Sequence, residues 1–243
     1  MFSPHPDDEA IVGALALRLL RESGWRIVNV AVTQGSNKQR QKARLGELRA
    51  CCETLGFELL TTQENGLENI SLKGRTDDLA GWSRSVGRIE EILLSLRPHA
   101  VFFPHARDWN GTHVGTHHLV SEALSRMGGA FSCHLIETEF WGAMDDPNLM
   151  VESSETDLAD LIAGLSRHVG EIGRNPYHLR LPAWMIDNVR RGGELVGGQG
   201  ASIPDFNYAT LYRLSRWHNG HATPSRHQKR FLSCTEAPSS LFS

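Results

Sequence analysis

The feature that most constrains this chain is the regular exchange of strand-like and helix-like segments over its first 141 residues. Arg26–Thr33 is β-branched and largely apolar, the pattern of a strand buried on both faces. A charged helix is expected over Lys38–Leu55, where Leu45, Leu48, Cys52 and Leu55 recur near a 3.6-residue period and Gly56 supplies a stop. Phe57–Thr62 reads as a second strand, followed by an Asn65-Gly66 turn. A helix opens at Asp77-Asp78 and closes at Arg97-Pro98, and His99–His105 is a further strand. A loop over Ala106–Gly111 leads to a helix over Thr112–Met127, then to a strand over Ser132–Trp141. Strands alternating with helices at this spacing imply parallel βαβ units with right-handed crossovers. The expected fold is α/β: a Rossmann-like three-layer sandwich around a mostly parallel sheet. At 243 residues the chain is read as a single domain.

In such sheets the functional loops gather at the carboxyl ends of the strands. Pro4–Glu9, Gln34–Asn37, Gln63–Gly66 and His105–His113 should therefore share one edge. The first of these is Pro4-His5-Pro6-Asp7-Asp8-Glu9, one imidazole and three carboxylates in a turn stiffened by two prolines. Carboxylates are favoured where a helix begins, and one is expected over Glu9–Ser23, ending at Gly24. Capping alone does not require a histidine between two prolines. Only Met1-Phe2-Ser3 precede the turn, fewer than the five or so residues of an ordinary central strand, so local weakness is expected there.

His5 and Asp8, three apart, can face one point, and a catalytic zinc site commonly adds a third N or O ligand while leaving one position for water. The second loop offers His105, Asp108, His113, His117 and His118. His113 and His117 lie four apart on one helix face, with His113 nearer the strand edge. With His5, Asp8 and His113 on a metal, Asp7 is left beside it as a general base for water. No thiolate belongs to the set, so zinc is favoured, with Fe2+, Co2+ and Mn2+ suited to the same donors.

These residues resemble a family. Pro4-His5-Pro6-Asp7-Asp8-Glu9 is similar to the opening motif of the PIG-L/LmbE-like N-acetylglucosaminyl deacetylases. The likeness continues through Arg44-Leu45-Gly46-Glu47-Leu48, Leu55-Gly56, and Pro104 to His117. The resemblance implies zinc-dependent removal of acyl groups from amino sugars and their conjugates. It implies His5 and Asp8 as metal ligands, Asp7 as base, and His113 as the third ligand. The family usually carries His-Pro-Asp-His in the second motif. Here its first histidine falls on Asn110 and its aspartate on Thr112, and an amide can donate to an oxyanion but cannot protonate an amine. Asn110 or His117 is expected to assist the oxyanion, and His117 or Asp108 to supply the proton.

From Asp145 the alternation stops. A core over residues 1–144 carrying the metal site is expected to be followed by an extension over 145–220 that contributes to the substrate pocket, and by a polar tail over 221–243, poorly ordered at its end. The extension reads as a helix over Ser154–Val169, a weakly amphipathic stretch over Leu181–Val189, a Gly-rich loop over Arg190–Gly200, and a strand over Phe206–Trp217. Arg191, Gln199 and Asp205 are candidates for substrate contact.

Net charge is −3, and there is neither a basic excess that would suggest nucleic acid nor an apolar run that would span a bilayer. The four cysteines form no CxxC pair, which argues against a disulfide framework or cysteine-bound zinc, and cytoplasm is the expected location. An oligomer has no support in the sequence. The reading is a hydrolase using metal-bound water on an N-acylated amino sugar or conjugate. The competing one is metal-dependent carbohydrate binding without turnover on the same scaffold. A nucleotide binder would need a glycine fingerprint that is missing.

Overall fold

A computed structural model describes residues 1–224 and 229–242. The first strand, β1 (Phe2–Ser3), is followed by α1 (Asp8–Ile11) and α2 (Ala14–Ser23), then β2 (Val28–Ala31), α3 (Gln41–Leu55) and β3 (Glu58–Thr61). Next come α4 (Leu72–Asp77), α5 (Leu79–Leu96), β4 (Ala100–Pro104), α6 (Gly111–Met127) and β5 (Cys133–Thr138). The second half holds β6 (Leu149–Ser153), α7 (Glu155–Leu165), α8 (Val169–Ile172), α9 (Tyr177–Leu195), β7 (Tyr208–His218), β8 (His221–Pro224) and β9 (Arg230–Leu232).

Strands β1, β2 and β3 pair in parallel, as do β4 and β5, so the expected α/β fold is present in the first half. β1 lies alongside β4. The period-2 alternation of the strands explains the three layers. Phe102 and Ile136 face a core shared with α2, α3, α7 and α9. Their neighbours Val101, Phe103 and Leu135 face the opposite core, built with α5 and α6. The long β7 then runs antiparallel to β5 on one side and to β6 on the other, ending the parallel order.

Three expectations need correction. The helix foreseen over Glu9–Ser23 is broken at Val12-Gly13 into α1 and α2. The buried Tyr212 of β7 bridges that break, its hydroxyl donating to the Val12 carbonyl and accepting from the Leu15 N–H. Two elements are not legible in the sequence: β6 is only five residues long, and α4, six residues with no buried side chain, is too short and polar to show a period. The Gly-rich loop is helical through Leu195, because Gly192 and Gly193 sit inside α9. A Cβ on Gly192 would lie 2.5 Å from the Met150 sulfur and 2.7 Å from Leu211, so the missing side chain lets α9 approach the sheet. The tail, expected to be loose, adds β9 to the sheet beside β6 and closes with a 3-10 turn over Pro238–Phe242. The fully buried Arg18 of α2 donates to the carbonyls of Ser233 and Glu236, which fastens that tail to the core. Residues 225–228 and 243 of the tail lie outside the described residues. No described helix is long and apolar enough to cross a membrane.

Candidate metal centre and cleft

Three of the four loops expected at the carboxyl edge meet in one open cleft of about 590 Å3, and in place of Gln63–Gly66 the residues just after it line the cleft. His5 and Asp7 reach it from the β1 loop, Gly35 and Ser36 from the β2 loop, and Leu67 and Asn69 from the β3 loop. The β4 loop contributes Asn110 and Thr112. Side chains of the neighbouring elements help hold the opening turn. The Thr33 hydroxyl donates to the Pro4 carbonyl at 2.7 Å, and Arg44 of α3 donates to the Pro6 carbonyl at 3.0 Å. α6 is brought close by Gly115, where a Cβ would lie 2.5 Å from the backbone of Ile70.

His5, which lines the cleft, converges with Asp8 and His113, both buried behind it, and the potential ligand atoms of the three all lie within 4.8 Å of one another. Asp8 Oδ2 is 3.3 Å from His113 Nε2 and 3.6 Å from His5 Nδ1. The His5 backbone N–H also donates to Asp8 Oδ2, at 2.8 Å, which fixes the carboxylate within its own turn. On its far side, His113 Nδ1 lies 3.3 Å from Asp108 Oδ2. A carboxylate behind a ligating imidazole orients the ring and sets its tautomer.

The donor set fits a divalent cation. His113 Nε2 is buried and, though 3.3 Å from Asp8 Oδ2, makes no hydrogen bond with it, a costly state for an imidazole nitrogen unless something else occupies that direction. Electrostatics agree. Burial would lower the His113 pKa, but Asp8 and Asp108 more than reverse this and push it up to about 10. Burial would raise Asp8, yet His113 and His5 hold its carboxyl well below the usual carboxylate range. The pocket therefore favours positive charge among these side chains, and two imidazoles with one carboxylate are donors typical of catalytic zinc.

Asp7 sits beside the set and lines the cleft. Its φ of 117° lies in the left-handed region, unusual for a residue with a side chain and a strain of about 1–3 kcal/mol. Burial, then the neighbouring Asp8 and Glu9, push its pKa well above the ordinary aspartate value, with Arg44 opposing. A cation among the neighbouring ligands offsets effects of this kind.

Asn110 caps α6, its Oδ1 accepting from the Thr112 N–H at 2.9 Å and the His113 N–H at 3.4 Å. Its backbone N–H donates to Asp108 Oδ1 at 2.8 Å, and its side-chain Nδ2 donates to no described residue. The other expected residues lie elsewhere. His117 Nδ1 is 2.9 Å from the Pro104 carbonyl, its ring packs on Phe103, and it does not line the cleft. His105 Nε2 pairs with the Gly142 carbonyl. Arg191 is bound to Glu139 at 2.6 Å and to the Met144 carbonyl, while Gln199 and Asp205 are exposed, and none of the three lines the cleft. The Gly-rich sequence suggested a mobile loop near the site, whereas helical packing carries it away.

The wall opposite the β4 loop is instead made by Glu171, Arg174, Asn175 and Tyr177, with Trp141 after β5. Arg174 and Asn175 both donate to Glu171 Oε1, at 2.7 and 2.9 Å. No motif marks these residues in the sequence; a cluster of polar groups between two helices was the only available signal.

The family model described as GlcNAc-PI de-N-acetylase, PIG-L, matches residues 1–124. No curated protein sequence matches the chain. In three dimensions it is similar to the N,N'-diacetylchitobiose deacetylase of Pyrococcus horikoshii, with 16% identity over 93% of this chain and 86% of that one and a TM-score of 0.61. It is similar also to a zinc-inhibited form of the teicoplanin deacetylase Orf2, with 13% identity, 89% and 96% coverage and a TM-score of 0.61. The 4-carboxy-2-hydroxymuconate hydratase GalB of Pseudomonas putida shares the scaffold too, with 17% identity, 88% and 93% coverage and a TM-score of 0.62. At these identities the likenesses speak to the fold, and a hydratase among them means that chemistry must be argued from side chains. The matched half of the chain contains the turn, all three candidate ligands and Asn110, and on that match the chain belongs to the PIG-L family.

Proposed function

We propose that the protein is a metal-dependent N-deacetylase that hydrolyses the amide of an N-acylated amino sugar or amino-sugar conjugate, releasing acetate or another acid and a free amine. The observation that carries this reading is the buried Nε2 of His113, which makes no hydrogen bond although Asp8 Oδ2 lies 3.3 Å away, with His5 close by and Asp7 on the open cleft. His5, Asp8 and His113 would hold the metal, with zinc favoured by the donors and Fe2+, Co2+ or Mn2+ suited to the same set. Such a cation, when bound, supplies a water acidic enough to act as a nucleophile near neutral pH.

The rest is the work of this chain's own groups. Asp7 accepts the proton of the attacking water. Asn110 donates from its amide to the carbonyl oxygen as that oxygen becomes negative. Asp108 is committed to His113 and His117 lies off the cleft, so the leaving amine takes its proton from Asp7, which has just acquired one. The extension over residues 145–220 completes the pocket through Glu171, Arg174, Asn175 and Tyr177, whose polar groups suit hydroxyl-rich substrates. The same reading places the protein in the cytoplasm, where its four unpaired cysteines stay reduced.

Deacetylation assays on a panel of N-acetylhexosamine conjugates, with metal content measured in parallel, test this proposal. Turnover by metal-loaded protein, absent after chelation and recovered on adding metal back, is the expected result. Metal-dependent sugar binding with no turnover would favour the second reading, which the Asn110 substitution for the family's histidine motivates.

A further inference from the structure

Behind Asp7, on the side away from the cleft, lies a second group of ionisable side chains closed off from solvent. Glu9 is fully buried and His168 is 1% exposed, and His168 Nε2 lies 2.7 Å from Glu9 Oε1. The other carboxylate oxygen, Oε2, accepts the backbone N–H of Asp7 at 2.9 Å. Cys51 of α3 completes the group, with its sulfur within 4.8 Å of the Glu9 and His168 ligand atoms. By composition this could be a metal set, yet its geometry is that of a finished hydrogen-bond relay. Both Glu9 oxygens are engaged, and neither Glu9 nor His168 has a buried polar atom without a partner.

The relay ends on the one backbone N–H whose position matters to the base. Asp7 occupies a left-handed conformation that a side-chain-bearing residue does not keep unaided. A buried carboxylate on its amide is the restraint that holds it there, and that carboxylate is useful only if its own rotamer is fixed. His168 fixes it from the far end of the chain. The His168 segment is in turn seated by Glu47 of α3, which accepts the Gly170 N–H at 2.9 Å, and it continues into Glu171 and Arg174 of the cleft wall.

We propose that His168 is a positioning residue for Asp7: by clamping Glu9 it holds the Asp7 backbone in the conformation that presents the carboxylate to the cleft, touching neither substrate nor metal. This rests on the reading of Asp7 as the base. It also makes the extension, outside the family match over residues 1–124, a contributor to the reacting end of the site.

The test compares wild type, His168→Ala and His168→Gln, the last keeping an N–H donor on a side chain able to reach Glu9. Measured for each are kcat, KM, metal per chain, and hydrogen exchange of the Asp7 amide. Expected in His168→Ala are a fall in kcat of about 10–100-fold with KM and metal content unchanged, and Asp7 exchange faster by about tenfold or more. His168→Gln should recover most of both. If the alanine variant does not fold, His168→Asn, polar but too short to reach Glu9, serves in its place. Unchanged kcat and unchanged Asp7 exchange in a folded variant would overturn the proposal. So would a joint loss of kcat, KM and metal with Asp7 protection intact, or a second bound metal that His168→Ala releases. If the wild type turns over no acylated substrate, the functional reading fails by itself, and the exchange measurement still decides whether His168 holds Asp7.

Discussion

Two clusters of histidine and carboxylate lie back to back in this molecule, and adjacent residues of one short helix feed them. Asp8 turns toward His5 and His113, while Glu9 turns toward His168 and Cys51. The first cluster leaves a buried imidazole nitrogen without a hydrogen bond although a carboxylate lies 3.3 Å away, and the second leaves no Glu9 or His168 atom in that state. Both contain plausible ligand types, and only the first has unspent donors. The lesson is that a metal site is recognised less by which residues assemble than by what they still lack after assembling.

The sharpest way to break the comparison is at His113. His113→Ala should abolish metal binding and turnover together while the circular dichroism spectrum is retained, and full metal occupancy in that variant would exclude the ligand set. Next comes Asp7→Asn, expected to keep its metal and lower kcat by about 10²–10⁴-fold. A variant with unaltered kcat would remove Asp7 from the role of base. Asp108→Asn probes the support behind the open cluster, and titration against a competing chelator should show metal affinity weaker by about 10–100-fold. The smallest effect belongs to the closed cluster. Cys51→Ala should leave one metal per chain and cost about 1 kcal/mol of stability, read from thermal or denaturant unfolding. A drop in metal content there would erase the distinction between the two clusters.

The open cluster was legible because the alternation and the resemblance of the two motifs point to the same residues. Strand–helix alternation brings the β1 and β4 loops to one edge, and His5, Asp8 and His113 then stand out as the residues near enough to converge. The closed cluster obeys no such rule. His168 lies 159 positions from Glu9, on a turn between two helices, and nothing in its neighbourhood advertises a partner. The extension failed for a related reason. Glycine is a poor helix former, so Gly192 and Gly193 pointed to a loop, while the tight seat of α9 on Met150 and Leu211 demands them. His117 shows the limit of periodicity: it shares a helix face with His113, yet one turn of rise is enough to carry it from the cleft to the Pro104 carbonyl.

The break between α1 and α2 has a consequence for the life of the chain. Its stitch, Tyr212, lies 200 positions from the Val12 carbonyl it holds. Synthesis runs from the amino end, so the segment that begins the site is made some 200 residues before the side chain that secures it. A nascent polypeptide halfway out of the ribosome already possesses its two aspartates and lacks the rivet that seats them. Truncation ahead of β7 would therefore leave the break between α1 and α2 unbridged although Asp7, Asp8, Asn110 and His113 are all present.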